Sequence, residues 1–337
     1  MAKFRGLIVD DVKIIREALT AILASDTEIE IVGTAENGKE AVEKTKTLHP
    51  DFITMDLRMP VMNGLKAMHQ IMKHNPTPIL VVSDIKDSDI AFKALSIGAV
   101  DIISKSDLSM EKTEELIRKV KTLNKAKFLQ DSKTSNDDSS TMSPLTQKST
   151  KKRVIAIAGS TGGPSAITKI LSNISPEFNY PILISQHMAE GFVPGFVKWL
   201  SKTSNLKVKE GQEGEIIVPG QVYLSPTSKN MEVSEGGKLV LSNRKTTGTA
   251  KPSCNVLLAS VATVYKEASI GIILTGAGND GVEGIMQIKH NMGTTLAQDE
   301  KTSLVFSMAK EAIDLGGIDQ ILPLQKIAPY LNELASH

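Results

Sequence analysis

Thiols are almost absent from this 337-residue chain: Cys254 is its single cysteine, so no internal disulfide can form and no metal site can draw on several thiolates. That usage suits a reducing compartment, and a cytoplasmic location is expected. Aromatic residues make up only 4% while hydrophobic residues reach 41%, so the cores must be aliphatic. Charge of one sign is not in excess either. The formal net charge of +1 gives no sign of a nucleic-acid or polyanion binder. No apolar run approaches the length that spans a membrane, so no membrane insertion is expected. The opening MAKFRGLIVDD has a short apolar run ending in two acids, unlike a signal peptide.

A chain of this length exceeds what one hydrophobic core usually organises, and two domains are expected. The division shows in composition. Half of residues 131–150 are Ser or Thr, and only Met142 and Leu145 are clearly apolar. Such a segment cannot bury enough surface to offset its ordering entropy. It reads as the heart of a flexible linker, residues 126–150, with a charged helical stretch over Met110–Leu129 leading into it. The domains are then residues 1–125 and 151–337.

In the first, short apolar runs at Phe4–Val9, Ile29–Thr34, Phe52–Met55, Ile79–Val82 and Val100–Ile103 read as buried strands. Amphipathic segments at Ile14–Ala24, Lys39–His49, Gly64–His74 and Ser88–Ile97 read as helices between them. This alternation predicts an α/β fold, a doubly wound parallel sheet covered on both faces. In the second, Val154–Ala158, Ile182–Ser185, Ile270–Leu274 and Thr294–Ala297 predict another parallel sheet. Short β-like runs at Ile216–Val218, Val222–Leu224 and Leu239–Leu241, broken by Gly, Pro and Asn, predict a hairpin insertion.

Chemistry-bearing residues fall at strand ends. Asp10 and Asp11 close the first strand, Asp56 the third, Ser83 the fourth, and Lys105 follows the fifth. Strand carboxyl ends of an open α/β sheet share one crevice, so these groups should converge. One acid there would be an ordinary solvated loop residue. The crowded set needs a cation, and a hard ion such as Mg²⁺ fits. Lys105 can then pair with a phosphoryl group arriving on Asp56, and Ser83 can hydrogen-bond it.

Three loops of the second domain also follow strands: GSTGG at 159–163, SQHM with His187, and LTGAGNDG at 274–281 with Asp280. A Ser, a His and an Asp meeting in one crevice are the parts of a nucleophile, base and orienting carboxylate. Taken singly, Ser160 could be a turn residue and His187 a structural one. GAGNDG, with Asp299 about 20 residues on, also matches a dinucleotide-binding fingerprint. Against it, Asp280 would put a carboxylate where a pyrophosphate should sit, and Ser160 and His187 would go unexplained.

The motifs LIVDD, AENGKEAVE, MDLRMPVMNGL, VVSD and GAVDIISK resemble the response-regulator receiver family over nearly all of residues 1–125. The resemblance implies a flavodoxin-like fold, phosphorylation of Asp56 by a histidine kinase, and Mg²⁺ held by Asp11, Asp56 and the backbone carbonyl of Arg58, with Asp10 acting through water. Ile102 stands where the family has a switching Tyr or Phe, and Ser106 where Pro is usual.

IAGSTGGP, SQHMAEGF, EGEIIVPGQVYLSP, KPSCNVLLASVA, ILTGAGNDGVEG and AQDEKTSLVFSM resemble the chemotaxis protein-glutamate methylesterase family, whose Rossmann-like catalytic domain would cover about 151–337. A receiver, a linker and this domain, in that order, is that family's layout. The resemblance implies Ser160 as nucleophile, His187 as base and then acid, Asp280 as its orienter, the Ala277 N–H as oxyanion donor, and no cofactor in the catalytic domain. It implies γ-glutamyl methyl esters on the cytoplasmic helices of chemoreceptors as substrate, with glutamine deamidation as a secondary activity. Departures fall at Ala277, Asn255, Ser307, Ala309, Lys229 and Asn230, none in the Ser-His-Asp set. They leave a second class of reading, a receiver-linked binding module without turnover. The architecture also predicts that the unphosphorylated receiver covers the Ser160 crevice until Asp56 is phosphorylated.

Overall fold

A strand buried on both faces needs apolar side chains on both, and Phe52–Met55 and Ile79–Ser83 are largely apolar and wholly buried, whereas Ile29–Ala35, at the sheet edge, is only partly covered. The computed structural model of the chain describes residues 3–84, 86, 88–109, 112–124, 153–244 and 251–336. The expected linker, residues 126–150, lies outside the described residues, as do both ends of the expected 110–129 helix.

Strands β1 (Phe4–Val9), β2 (Ile29–Ala35), β3 (Phe52–Met55), β4 (Ile79–Ser83) and β5 (Ala99–Ser104) form one parallel sheet in the order β2-β1-β3-β4-β5, the flavodoxin-like order. Helices α1 (Lys13–Ala24), α2 (Gly38–Leu48), α3 (Gly64–His74), α4 (Ser88–Ile97) and α5 (Thr113–Leu123) cover it. Local chemistry sets their starts. Asn37 and Asn63 each accept a hydrogen bond from the backbone N–H three residues on, capping α2 and α3. β1 runs beside β3 with Gly6 opposite the fully buried Phe52, whose ring leaves no room there for a Cβ.

The second sheet has seven strands, all parallel, in the order β14-β13-β12-β6-β7-β9-β8. These are β6 (Val154–Gly159), β7 (Ile182–Gln186), β8 (Lys207–Glu210), β9 (Gln221–Leu224), β12 (Ser269–Ile273), β13 (Thr294–Gln298) and β14 (Gln320–Leu322). Strands β10 (Asn230–Ser234) and β11 (Lys238–Ser242) pair separately as an antiparallel hairpin, the expected insertion. Two readings of that region change. The 222–224 run joins the main sheet rather than the hairpin, and 216–218 makes only an isolated bridge from Ile216 to Lys238. Helices α6 (Gly163–Ser172), α7 (Val193–Thr203), α8 (Cys254–Tyr265), α9 (Val282–His290), α10 (Ser307–Asp314) and α11 (Leu324–Ala335) flank it. Among the described residues, no helix is long and apolar enough to cross a membrane.

The two sheet units touch. Helix α4 packs on α6 and α7. Phe92 of α4 stacks on Phe196 of α7, ring centroids 4.8 Å apart, and meets Phe192 edge-on at 6.3 Å. Leu304 packs against the cluster of Ile103, Leu116 and Val120 in the first unit.

Replacing Gly6 with Val should destabilise the first unit by about 1–3 kcal/mol, because β1 can admit the new side chain only by displacing Phe52. A lowered urea midpoint, with Gly33→Ala as a milder control, would measure it.

Candidate active site

Both crevices lie where the strand order reverses, between β1 and β3 and between β6 and β12. In the first, Asp10 and Asp56 are buried while Asp11 is exposed. Lys105 Nζ lies 2.8 Å from Asp10 Oδ2 and 3.1 Å from Asp56 Oδ2. Burial, opposed by Lys105 and aided by Asp10, pushes the Asp56 carboxyl up to about 6. Burial works against the Lys105 charge too, but the two carboxylates outweigh it and hold the ammonium above its ordinary range. Each of the three acids offers an oxygen within 4.8 Å of the others, a hard donor set that fits Mg²⁺. Arg58 follows Asp56 by two residues in the adjoining loop. Ser83 is buried, and its hydroxyl has no hydrogen-bond partner among the described residues, so it has capacity for an incoming group. Ile102 is buried, and Ser106 bonds Ser104 across the hydroxyls at 2.7 Å.

In the second crevice, β6 delivers Ser160 on a tight turn. Gly162 takes φ 79°, a left-handed conformation suited to glycine, and Pro164 starts α6. The Ser160 N–H donates to Thr275 O at 3.1 Å, tying the first loop to the third. Gly276 lies so close that a Cβ there would sit 2.8 Å from the Ser160 Cβ. β7 delivers His187, whose N–H donates to Gly159 O at 3.0 Å. Gln186, which the sequence did not flag, donates from Nε2 to Ser160 O and His187 O, both at 2.8 Å.

Asp280 is the most heavily bonded group of the site. It receives His187 Nε2 at 2.8 Å, Cys254 N at 2.7 Å, Ser253 Oγ at 2.9 Å and Asn255 N at 3.0 Å. Three of these donors belong to the N-terminus of α8, where backbone N–H groups and the helix dipole favour an anion. Burial alone would raise the Asp280 carboxyl, but the hydrogen bond and charge of His187, with the N–H groups of Asn255 and Cys254, hold it below the carboxylate range. Burial likewise works against a charged His187. The facing Cys254 sulfur and Asp280 outweigh it and raise the imidazole to about 10.

The ring therefore bonds through Nε2, to Asp280 and, at 3.7 Å, to Cys254 Sγ. Among the described residues no hydrogen bond joins it to Ser160 Oγ, so the expected base and orienter are engaged while the expected base and nucleophile are not. Catalytic contacts often tighten only when substrate arrives. The Ala277 N–H has no partner among the described residues, which leaves it free to meet an oxyanion.

The departures find structural roles. Asn255 Oδ1 accepts from Gly281 N and Gly284 N, both at 2.9 Å, and so caps α9. That occupies the helix start at which a dinucleotide pyrophosphate would bind. Asp299 is bonded to Thr302 N at 3.0 Å, within its own turn. The dinucleotide reading thus loses both its helix terminus and its acid. Ser307 Oγ donates to Gly276 O at 3.0 Å, and Ala309 is wholly buried. Asn230 is buried, with Oδ1 accepting from Ser253 N at 2.8 Å, while Lys229 is exposed.

The His187 ring should stay protonated as pH rises toward about 10, because its raised value favours the charged form below that point. Asp280→Asn removes a stabilising charge and should move the titration to lower pH. Imidazole ¹⁵N shifts of both proteins would check this.

The sequence profile for "CheB methylesterase" matches residues 155–331, and that for "Response regulator receiver domain" matches residues 7–121. A protein-glutamate methylesterase/protein-glutamine glutaminase of Paramagnetospirillum magneticum is 38% identical, covering 98% of this chain and 96% of its own. One from Pyrococcus abyssi is 36% identical, covering 96% and 92%. Among solved structures, the Thermotoga maritima CheB methylesterase catalytic domain matches 55% of this chain and 99% of its own, with TM-score 0.53 and 36% identity. By motif, fold and full-length similarity, the chain belongs to the CheB methylesterase family, with a response regulator receiver domain ahead of the methylesterase domain.

Proposed function

We propose that this chain is a phosphorylation-gated protein-glutamate methylesterase, with a receiver at 1–125, a linker at 126–150 and a catalytic domain at 151–337. Its substrates would be γ-glutamyl methyl esters on the cytoplasmic helices of chemoreceptors. Glutamine deamidation at such sites is a secondary activity, and the protein would act in the cytoplasm. The observation that carries this reading is the His187–Asp280 hydrogen bond at 2.8 Å in the crevice that also holds Ser160.

The proposed chemistry runs through these groups. Ser160 Oγ attacks the ester carbonyl while His187 takes its proton, and Asp280 steadies the imidazolium. The carbonyl oxygen, now an anion, meets the Ala277 N–H. The tetrahedral adduct collapses, His187 protonates the departing methoxide, and methanol leaves. Water then attacks the acyl-enzyme with His187 again as base, restoring the glutamate and Ser160. Because His187 accepts the proton only when neutral, turnover should favour the alkaline side.

Gating would begin at Asp56, taking a phosphoryl group from a histidine kinase. Mg²⁺, held by Asp11, Asp56 and the Arg58 carbonyl, with Asp10 acting through water, would neutralise the crowded oxygens there. Lys105 and Ser83 would contact the phosphoryl group. Contact between the two units supports the gate. Asp101, in β5, is buried, and the side chain of Thr161, the residue after the proposed nucleophile, is among the groups that favour its charged form. Leu304 lies against Gly162 on one side and the first unit's core on the other. A receiver seated there restricts the Ser160 loop, and phosphorylation would shift the population toward an uncovered site.

Methanol release from methylated chemoreceptor membranes, with a small phosphodonor and Mg²⁺, tests the whole. Release should rise with phosphodonor, vanish in Ser160→Ala and lose its phosphodonor response in Asp56→Ala. No release from the wild type despite Asp56 phosphorylation would favour the binding-module reading. Phe92→Ala should raise the unphosphorylated rate by about 3–10-fold, since the lost aromatic stacking held the units together; an unchanged rate would count against coverage by α4.

A further inference from the structure

Cys254 has no part in the proposed chemistry, yet its sulfur lies in the crevice. It is wholly buried, 3.4 Å from Ser185 O and 3.7 Å from His187 Nε2. His187, Cys254 and Asp280 each offer one ligand atom, and all three atoms lie within 4.8 Å of one another. We propose that these residues form a three-ligand site for Zn²⁺ or a cation of like softness, and that its occupation is incompatible with turnover.

The donor set decides the cation. Nitrogen, sulfur and carboxylate oxygen suit Zn²⁺, whereas Mg²⁺ takes oxygen and keeps its water. The chain thus carries two clusters of opposite preference, since the one around Asp56 is all oxygen. Distances fit with little movement. Tetrahedral bonds of ordinary Zn length put nitrogen and sulfur about 3.6 Å apart, and nitrogen and oxygen about 3.4 Å apart. The nitrogen and sulfur stand at 3.7 Å already, while His187 and Asp280, now 2.8 Å apart, must open by about 0.6 Å. Asp280 keeps Ser253 Oγ and the α8 N–H groups as it moves. Access runs past His187 and Asp280, whose side chains are 20% and 19% exposed. A fourth position is left for water.

The ion takes the place of the proton between Nε2 and Asp280. The thiol proton and the Nε2 proton of the charged ring both leave to solvent, and Nδ1 keeps its own proton. Metal binding needs only the cluster. The loss of turnover rests on the proposed triad, because an imidazole ligated through Nε2 no longer has Asp280 to orient it.

The test uses the full chain with Mg²⁺ in excess, so that the oxygen cluster is filled. Co²⁺ is titrated first and then displaced by Zn²⁺. A thiolate-to-cobalt charge-transfer band should appear, and with a single cysteine it can report only Cys254. It should vanish on adding Zn²⁺ and be absent in Cys254→Ala. In methanol release, each protein referred to its own zinc-free rate, Zn²⁺ should inhibit the wild type. Cys254→Ala should need more than about 100-fold more, since losing a ligand exceeds the cost of losing an outer-shell partner. Cys254→Ser serves if the alanine variant fails to fold. No band at saturating Co²⁺, or equal zinc sensitivity in wild type and variant, overturns the proposal. A band with no methanol release from any form upholds the metal site and sinks the esterase reading instead.

Discussion

A carboxylate taken out of water must be compensated where it lands, and Asp280 is compensated by four donors from two directions. The start of α8 supplies three and the imidazole the fourth. Each constrains something else. Ser253 N is itself held by Asn230 of the hairpin, and Asn255 reaches on to cap α9. The hairpin, two helices and the His187 loop are therefore registered against one partly buried charge. Removing that charge would loosen the scaffold around the crevice as well as the base.

The same economy appears at the other crevice with the signs reversed. There the negative charges come first, and among the described residues Lys105 is the one cation paired with the Asp10 and Asp56 carboxylates, each of which also accepts one backbone N–H, from Val12 and Leu57. The sum is incomplete, which is why burial can push Asp56 up to about 6. One site is closed electrostatically and the other is left unbalanced. That difference suits the proposed roles, a rigid catalytic cradle beside a site whose state changes.

Much of this was legible beforehand because parallel sheets turn buried strands into unbroken apolar words. The runs at 4–9, 52–55 and 154–158 could hardly be anything else, and the loops that follow strands hold Asp56, Ser160, His187 and Asp280. Strands Lys207–Glu210 and Gln320–Leu322 were illegible for the converse reason. Both lie at sheet edges, and their mixed polar and apolar residues are only partly covered. In the sequence Cys254 stood out only as the single thiol, unable to form a disulfide. Only tertiary packing brings it to His187, 67 positions away. Asn255 read as a departure from family habit; its role as a cap depends on α8 and α9 crossing, which no local pattern encodes.

The contact between the two units is made largely of rings. Phe92, Phe192 and Phe196 are almost wholly buried there. Parting the units would wet these surfaces, and the hydration of apolar surface carries a positive heat capacity. Such contacts weaken on cooling. Under the proposed gate, the balance between joined and parted forms would therefore be set by temperature as well as by phosphate, and a fall in temperature alone would favour parting.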